Sequence, residues 1–213
     1  MKILIITNGD ISDLFFLQEK IKDHDYLICV DGAARYLRKI QQKPDLMVGD
    51  MDSVSDEDLS WIESFKIPVK RYKTRKDYTD TEIAIDAALD HNARFITILG
   101  AVGNRLDHSL SNIFLLKKID DAGIEGLIAD KSFELQYLNK DKQLDWKRGE
   151  VVSFIPIDQE EAILSLDGFE YPLENKAVSR GTSLCVSNVV ARDCPSVIIN
   201  NGSILAVRNK KVP

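Results

Sequence analysis

The sequence of 213 residues has little cysteine, and none of it forms a Cys-x-x-Cys pair. Its three cysteines, Cys29, Cys185 and Cys194, leave one thiol over in any disulfide scheme, which argues against a disulfide framework and against a sulfur-bound metal. The first apolar run, Ile3 to Ile6, is too short for a signal peptide or a membrane span. These absences predict a cytoplasmic protein that does not enter a membrane.

A surplus of positive charge is missing as well. The chain carries 34 acidic and 28 basic residues, a formal net charge of -6, so no basic excess is available to neutralise a nucleic-acid backbone. With 44% hydrophobic and 29% charged residues, the composition is that of an ordinary soluble chain, long enough for one sizeable core or two small ones. Nucleic acid is therefore not an expected partner.

Residues 1–131 alternate short apolar runs with longer helical patterns. Strands are predicted at residues 3–7, 27–30, 46–48, 69–72, 95–99 and 127–129. Helices are predicted at residues 13–22, 31–40, 56–64, 79–90 and 105–119. This alternation is typical of a parallel sheet covered by helices, so an N-terminal α/β sandwich domain is expected.

The pattern changes in residues 132–213, where no amphipathic helix is visible and turn residues are frequent. Short strands are predicted at residues 133–138, 143–146, 151–156, 162–166, 182–186, 189–191, 197–199 and 204–207. Such a series is typical of an antiparallel β-sandwich. Because no flexible linker precedes it, we expect this second domain to follow the first directly.

Two carboxylates stand close together in the segment Gly49-Asp50-Met51-Asp52-Ser53, directly after a short apolar run. In extended backbone, residues two apart point the same way, so the side chains of Asp50 and Asp52 would lie on the same side of the segment. Neighbouring carboxylates repel each other, and a shared divalent cation would remove that repulsion. The alternative is a solvated acidic turn without a ligand.

Aspartates also follow the carboxyl ends of other predicted strands, which is where open α/β sheets bind ligands. Six of them would reach one rim from four loops: Asp31, Asp50, Asp52, Asp77, Asp80 and Asp107. A rim of this kind requires compensating charge, which one or two Mg²⁺ ions would supply. Since Mg²⁺ held by a few carboxylates also takes substrate phosphates, the sequence predicts a phosphate-handling enzyme.

A glycine loop adds a possible anion site. Gly100 to Gly103, followed by Arg105, offers backbone N–H groups, a helix N-terminus and a guanidinium group. The segment is neither a P-loop nor a Gly-x-Gly-x-x-Gly fingerprint.

Structural alternatives exist for several of the aspartates. Thr79 and Glu82 are spaced as a capping box, with the Glu82 side chain reaching back, so Asp80 between them could serve the helix alone. Asp107 likewise falls in a first helical turn, and Asp31 could be a helix cap. The hypothesis of a site therefore depends on all of them sharing one edge.

Five motifs in this order resemble those of the thiamine pyrophosphokinases. They are Asp31-Gly-Ala-Ala-Arg35, Gly49-Asp-Met-Asp-Ser53, Asp77-Tyr-Thr-Asp-Thr-Glu82, Gly100-Ala-Val-Gly-Asn-Arg-Leu-Asp-His108 and Ser179-Arg-Gly-Thr-Ser-Leu-Cys-Val-Ser-Asn188. The last is similar to the bacterial members, and the likeness covers essentially the whole chain. Two departures are Ala33, where many members have glycine, and Val189, where an acidic residue is common.

The resemblance implies a fold and a reaction. It implies that residues 1–131 form the catalytic domain that binds ATP and Mg²⁺, and that residues 132–213 form a β-sandwich for thiamine binding and dimerisation. It further implies a homodimer with active sites between the subunits. The implied reaction moves the pyrophosphoryl group of ATP to the hydroxyl of thiamine, giving thiamine diphosphate and AMP.

The resemblance also implies roles for individual residues. Metal-binding positions would be Asp50, Asp52 and Asp80. Nucleotide-binding positions would be Asp31, Gly32, Asp77, Gly100, Gly103, Arg105 and Asp107. Catalytic positions would be Asp80, Asp107 and Arg105, and thiamine-binding positions Asp80, Ser187 and Asn188. An aromatic face would suit the thiamine cation, and the candidates for it are Trp61, Tyr78 and Trp146.

Two other functions use the same residues. A metal-dependent nucleotide phosphohydrolase would use the carboxylates to activate water. A non-catalytic nucleotide-sensing module would use the second domain as a partner-binding surface.

Overall fold

The computed structural model describes residues 1–71 and 78–210. The chain divides into two compact units, Met1–Asp130 and Lys131–Pro213. Each has its own buried hydrophobic core. Within the described ranges, no helix has both the length and the apolar character needed to cross a membrane.

The first unit is an α/β unit built on a parallel sheet, which confirms the predicted fold class. Its strands are β1 (Lys2–Ile6), β2 (Tyr26–Val30), β3 (Leu46–Gly49), β4 (Val69–Arg71), β5 (Phe95–Leu99) and β6 (Glu125–Ala129). Its helices are α1 (Leu14–Lys22), α2 (Ala34–Lys39), α3 (Asp56–Ser64), α4 (Asp80–Asp90) and α5 (Leu106–Asp121). The strand order is β6-β5-β1-β2-β3-β4, with every pairing parallel.

Alternation along β1 shows how the sheet is covered on both faces. Leu4 and Ile6 are fully buried in a cluster with Leu17 of α1. Ile3 and Ile5 are also fully buried, and because successive strand residues alternate they point to the opposite face. The chain crosses back from β4 to β5 through α4, which places that helix on the second face if each crossover is right-handed.

Strand β1 occupies the point where the chain reverses its direction across the sheet. From β1 the chain moves outward to β4, and it then returns to β5 on the other side of β1. At such a point the loops that follow the two adjacent strands diverge and leave a crevice at their carboxyl ends. A ligand site is therefore expected beside the ends of β1 and β5.

The second unit is an antiparallel β-sandwich, as predicted. Its strands are β7 (Phe133–Leu138), β8 (Lys142–Gln143), β9 (Val151–Pro156), β10 (Glu161–Asp167), β11 (Leu173–Ser179), β12 (Asn188–Val189), β13 (Ser196–Asn201) and β14 (Ile204–Asn209). One sheet has the order β12-β9-β14-β7 and the other β11-β10-β13-β8. Phe154 is fully buried in the core, with ring centroids 6.0 Å from Trp146 and 5.2 Å from Phe169.

The strand predictions in this unit differ from the structure at three places. The strand predicted at residues 182–186 is absent, because residues 184–187 form a turn in which Cys185 has φ 74° and Ser187 has φ 60°, values that extended backbone does not have. The strand Leu173–Ser179 was not predicted because it lies at the edge of its sheet with most side chains exposed, so it lacks an apolar alternation. The strand predicted at residues 143–146 is also shorter in the structure, ending at Gln143.

Candidate active site

Three aspartates form an acidic cluster at the carboxyl ends of β2 and β3. One carboxylate oxygen from each of Asp31, Asp50 and Asp52 lies within 4.8 Å of the other two. The two strands pair in parallel with Val30 opposite Val48, so their following residues meet at one edge. Carboxylate oxygens are hard ligands that suit Mg²⁺. The structure thus joins Asp31, predicted as a nucleotide-binding residue, to the predicted metal pair.

Asp31 is the buried member of this acidic cluster, with 6% of its surface exposed. The predicted helix at residues 31–40 begins there as a short 3₁₀ turn, with Asp31 at φ 42°. Its Oδ1 atom accepts a hydrogen bond from the Met51 backbone N–H at 3.1 Å. Burial, together with the negative charges of Asp80 and Asp50, raises the pKa of Asp31 to about 7. A cation at this place would relieve both effects.

Asp80 approaches the acidic cluster from the start of α4, close enough for its negative charge to raise the pKa of Asp31. Thr79 caps this helix, since its hydroxyl accepts from the Glu82 N–H at 3.3 Å. The predicted return contact of Glu82 was wrong: its Oε1 atom accepts from Lys118 of α5 at 2.9 Å. Asp80 therefore combines a helix-start position with a contact in the site.

A crevice of about 760 Å³ lies at the switch point of the sheet. That volume is within the range of small-molecule sites. The residues that line it come from the loops after β1, β2 and β5 and from the starts of α4 and α5: Thr7, Asn8, Gly9, Asp10, Val30, Asp31, Arg35, Thr79, Asp80, Thr81, Gly100, Ala101, Gly103, Asn104, Arg105, His108, Ser109 and Asn112. Asp31 thus belongs both to the acidic cluster and to the crevice wall, and Asp80 lines the crevice beside it.

Glycines allow the loops after β1 and β5 to touch backbone to backbone. A Cβ atom on Gly9 would lie 2.0 Å from the Gly100 carbonyl oxygen. Gly100 has φ +69°, and a Cβ atom there would lie 2.6 Å from the Thr7 carbonyl oxygen. Larger residues would separate the two loops and open the floor of the crevice.

The rest of the glycine loop is tied to α5. The Gly103 N–H donates to the Ser109 hydroxyl at 3.0 Å, so this N–H is bonded within the protein, contrary to the expectation that it serves an anion. The Asn112 side-chain amide donates to the Ala101 carbonyl at 2.8 Å. Ser109 and Asn112 are both buried. The helix therefore holds the loop in one conformation beside the crevice.

Arg105 and Asp107 form an exposed ion pair at the start of α5. The guanidinium group donates to both oxygens of Asp107, and the side chains are 68% and 64% exposed. The hydrogen bond from Arg105 lowers the pKa of Asp107 to about 2. Arg105 lines the crevice, whereas Asp107 is not among the lining residues. Asp107 is consequently a weak base.

Sequence reasoning missed the loop after β1, which contributes Asn8 and Asp10 to the crevice wall. The signal was present, because Asn-Gly-Asp follows the first predicted strand as polar residues follow the others. Arg35, part of a quoted motif, was given no role, yet it also lines the crevice. The predicted nucleotide-binding residue Asp77 lies outside the described residues.

Of the three predicted thiamine residues, Asp80 lies in the first unit, and Ser187 and Asn188 lie in the second. Asn188 is 2% exposed; its Oδ1 accepts from the Tyr171 N–H at 3.1 Å, and its Nδ2 donates to the Tyr171 carbonyl at 2.9 Å. The Ser187 N–H donates to the Ser153 hydroxyl at 3.1 Å. Asn188 thus fixes the backbone of Tyr171, an exposed aromatic residue that sequence reasoning did not identify.

The predicted aromatic candidates differ in their accessibility. Trp146 is 2% exposed in the core of the second unit, so this candidate has no open ring face for a ligand. Trp61 packs against the core of the first unit, with its ring 5.4 Å from Phe65. Tyr78 is 60% exposed, directly before Thr79.

The fold and the site together define a class of protein. A carboxylate cluster beside a glycine-lined crevice, at the switch point of a parallel sheet, is typical of enzymes that transfer phosphoryl groups with the help of a divalent cation.

Comparison with known proteins identifies the family within this class. Residues 17–128 match the family description "Thiamin pyrophosphokinase, catalytic domain", and residues 137–204 match "Thiamin pyrophosphokinase, vitamin B1 binding domain". The chain belongs to the thiamine pyrophosphokinase family, which confirms the resemblance seen in the motifs.

Individual relatives agree with this assignment. The thiamine pyrophosphokinase of Bacillus subtilis is 31% identical over 190 residues, which cover 88% of each chain. A crystal structure of the Bacillus subtilis enzyme superposes with a TM-score of 0.88 at 29% identity, covering 100% of both chains. The structure from Geobacillus thermodenitrificans gives a TM-score of 0.85 at 30% identity, covering 99% of this chain and 98% of the other.

Proposed function

We propose that this member of the family transfers the pyrophosphoryl group of ATP to the hydroxyl of thiamine, giving thiamine diphosphate and AMP. The observation that carries the proposal is the match of both parts of the chain to the family's catalytic and vitamin-binding domains. The acidic cluster and the crevice support it, because they provide a place for a cation and for a polar nucleotide. In this proposal residues 1–131 bind ATP and Mg²⁺, and residues 132–213 bind thiamine.

The acidic cluster would hold Mg²⁺. The donor set fits this ion, since Asp31, Asp50 and Asp52 bring only carboxylate oxygens to within 4.8 Å of one another. Asp80 stands next to Asp31, so we add Asp31 to the predicted ligands Asp50, Asp52 and Asp80. When bound, Mg²⁺ would offset negative charge on the phosphate oxygens as AMP leaves.

The crevice would hold the nucleotide. The Arg105 guanidinium lines it and remains largely exposed, so it supplies a positive charge for a phosphate group in spite of its pairing with Asp107. Gly32, Gly100 and Gly103 stay proposed as nucleotide-binding positions through close backbone approach. Asp77 stays a prediction from the family resemblance.

The chemistry is an in-line displacement at the β-phosphorus of ATP. The thiamine hydroxyl oxygen forms a bond to that phosphorus, the bond from phosphorus to the oxygen of AMP breaks, and the hydroxyl proton passes to a carboxylate. Sequence reasoning left Asp80 and Asp107 as the choices for this carboxylate. Both stay proposed, because Arg105 holds the pKa of Asp107 near 2 and Asp80 would lie at the cation, so neither is favoured as the proton acceptor.

Thiamine would be bound with help from the second unit. Ser187 and Asn188 are proposed at the thiamine position, and Tyr171 is added as the aromatic face because Asn188 fixes its backbone and its ring is exposed. A homodimer with active sites between subunits, in the cytoplasm, completes the proposal. The net charge of -6 supports small-molecule substrates over nucleic acid.

Incubation of the protein with ATP, Mg²⁺ and thiamine, followed by measurement of AMP, tests the reaction. AMP that appears only when thiamine is present, together with equimolar thiamine diphosphate, supports the proposal. ATP hydrolysis without thiamine would instead identify a phosphohydrolase. Binding of ATP without any turnover would identify a nucleotide-sensing module.

A further inference from the structure

Arg35 is surrounded by acceptors that belong to the protein itself. Its Nη1 atom donates to the Asn8 side-chain oxygen and to the Gly32 carbonyl at 2.7 Å. Its Nη2 atom donates to the Asn8 carbonyl at 3.1 Å, the Gly9 carbonyl at 3.3 Å and the Tyr36 hydroxyl at 2.9 Å. Both terminal nitrogens are thus used to join the loop after β1 to the start of α2.

The same contacts continue to the acidic loop after β3. The Gly32 N–H donates to the Ser53 hydroxyl at 3.2 Å, and the Asn8 side-chain amide donates to that hydroxyl at 3.5 Å. A Cβ atom on Gly32 would lie 2.7 Å from the Asn8 side-chain oxygen and 2.9 Å from the Ser53 carbonyl oxygen. The loops after β1, β2 and β3 therefore meet at Gly32. We call Arg35, Asn8, Gly32 and Ser53 the loop hub.

The loop hub is placed directly beside the groups that would bind the cation. Gly32 follows Asp31 in the chain, and Ser53 follows Asp52. The hub is also connected to the floor of the crevice. Arg35 donates to the Gly9 carbonyl, and Gly9 lies against Gly100. The guanidinium group of Arg35 thus bonds directly to the loops after β1 and β2, and it is connected to the loop after β3 through Asn8 and Gly32.

We propose that Arg35 is a positioning residue, which sets the separation of Asp31 and Asp52 for a divalent cation through the loop hub. The inference rests on the proposed metal site. A guanidinium group is required for this task because its planar fork offers donors in fixed directions, whereas a lysine ammonium is a point charge on a flexible stem. Residues that orient metal ligands in this way typically change metal affinity or activity by roughly 10–100-fold when they are replaced.

Direct measurement of cation binding tests the proposal without any substrate. Mn²⁺, which takes the same oxygen ligands as Mg²⁺, is titrated by electron paramagnetic resonance into the wild type and Arg35→Lys, and thermal unfolding is recorded in parallel. We expect Arg35→Lys to weaken Mn²⁺ binding by roughly 10–100-fold. Asn8→Ala, a change at an exposed residue, should weaken it in the same direction while the fold is kept.

Arg38 supplies the matched control. It lies on the same helix, but it donates to Asp58 at 2.5 Å and to Glu57 at 2.7 Å, away from the crevice loops. Arg38→Lys should lower the unfolding temperature and leave Mn²⁺ binding unchanged. Equal weakening in Arg35→Lys and Arg38→Lys, or Mn²⁺ affinity in Arg35→Lys equal to the wild type, would overturn the proposal.

A double-mutant cycle tests whether Arg35 acts on the acidic loop after β3 through Ser53. If the loop hub acts as a unit, Ser53→Ala and Arg35→Lys together should weaken Mn²⁺ binding by less than the product of the single effects. Purely multiplicative effects would refute the coupling.

A wild type that binds no Mn²⁺ would overturn the metal site and this inference together, whereas Mn²⁺ binding without thiamine-dependent AMP would overturn only the proposed reaction.

Discussion

The carboxylate of Asp31 occupies the space that a side chain on Gly49 would need. A Cβ atom on Gly49 would lie 1.8 Å from Oδ1 of Asp31, and Gly49 has φ +138°. Asp31 can therefore turn toward Asp50 and Asp52 only because residue 49 has no side chain. The last residue of β3 thus decides whether the acidic cluster assembles.

Replacement of Gly49 by alanine should disrupt the cluster. We expect Gly49→Ala to lower the free energy of unfolding and to remove thiamine-dependent AMP formation, because Asp31 must move. Gly123→Ala is the control, since Gly123 has φ +75° but no atom within 4 Å of its Cβ position. It should cost only the backbone strain of about 1–2 kcal/mol and leave activity intact. Activity lost equally in both variants would contradict this account.

Asp50, which is half-buried, and Asp52, which is exposed, should both be essential for turnover. We expect Asp50→Asn and Asp52→Asn to abolish AMP formation and to leave the unfolding temperature close to that of the wild type, because the amide lacks the negative charge that attracts Mg²⁺. Asp145→Asn, at a side chain that is 90% exposed in the second unit, is the control. Normal activity in both cluster variants would show that the metal assignment is wrong.

The negative charge of Asp31 should lower the free energy of unfolding when no cation is bound. Its pKa is raised to about 7 from an ordinary value near 3.9, so the folded state loses stability as pH rises between these values. At pH 8 in a chelator, Asp31→Asn should raise the free energy of unfolding by roughly 1–3 kcal/mol. Mg²⁺ should stabilise the wild type and not the variant, which thermal unfolding with and without Mg²⁺ will show. A less stable variant at pH 8 would refute this.

His24 should make the fold sensitive to mild acid. Burial lowers its pKa, and its ring lies 2.6 Å from the Lys20 carbonyl and 2.7 Å from the Thr97 hydroxyl. The unfolded chain therefore takes up a proton near pH 6.5 more readily than the folded chain, and stability falls as pH drops below that value. Urea unfolding at pH 7.5 and 5.5 should show a smaller decrease for His24→Gln than for the wild type. His108→Gln, at an exposed histidine, should behave like the wild type.

Tyr171 should contribute to thiamine affinity and not to nucleotide affinity. Loss of a cation–π contact of about 1–2 kcal/mol corresponds to roughly a 5–30-fold higher KM for thiamine in Tyr171→Ala, with the KM for ATP unchanged. Tyr171→Phe keeps the aromatic face and should behave like the wild type. Asn188→Ala should give an intermediate KM, because it releases the Tyr171 backbone. A KM for thiamine unaffected by Tyr171→Ala would exclude stacking.

The fold class was predictable because it depends on local periodicity. Runs such as Ile3 to Ile6 and the helical pattern that became α4 carry their burial pattern in the sequence itself. The edge strand Leu173–Ser179 was not predictable in this way, since its burial pattern is mostly exposed. Glu82 fitted a capping box locally but bonds to Lys118, which is distant in the sequence.

The sequence by itself determined the parallel α/β unit, the β-sandwich, the family motifs and the aspartates at strand ends. Only the tertiary structure decided that Asp31 joins Asp50 and Asp52, that Arg35 binds the loop after β1, and that Asn188 holds Tyr171. The physical reason is that local patterns specify which residues end each strand, whereas strand order specifies which of those ends are neighbours. Placing β1 between β2 and β5 is a property of the whole sheet.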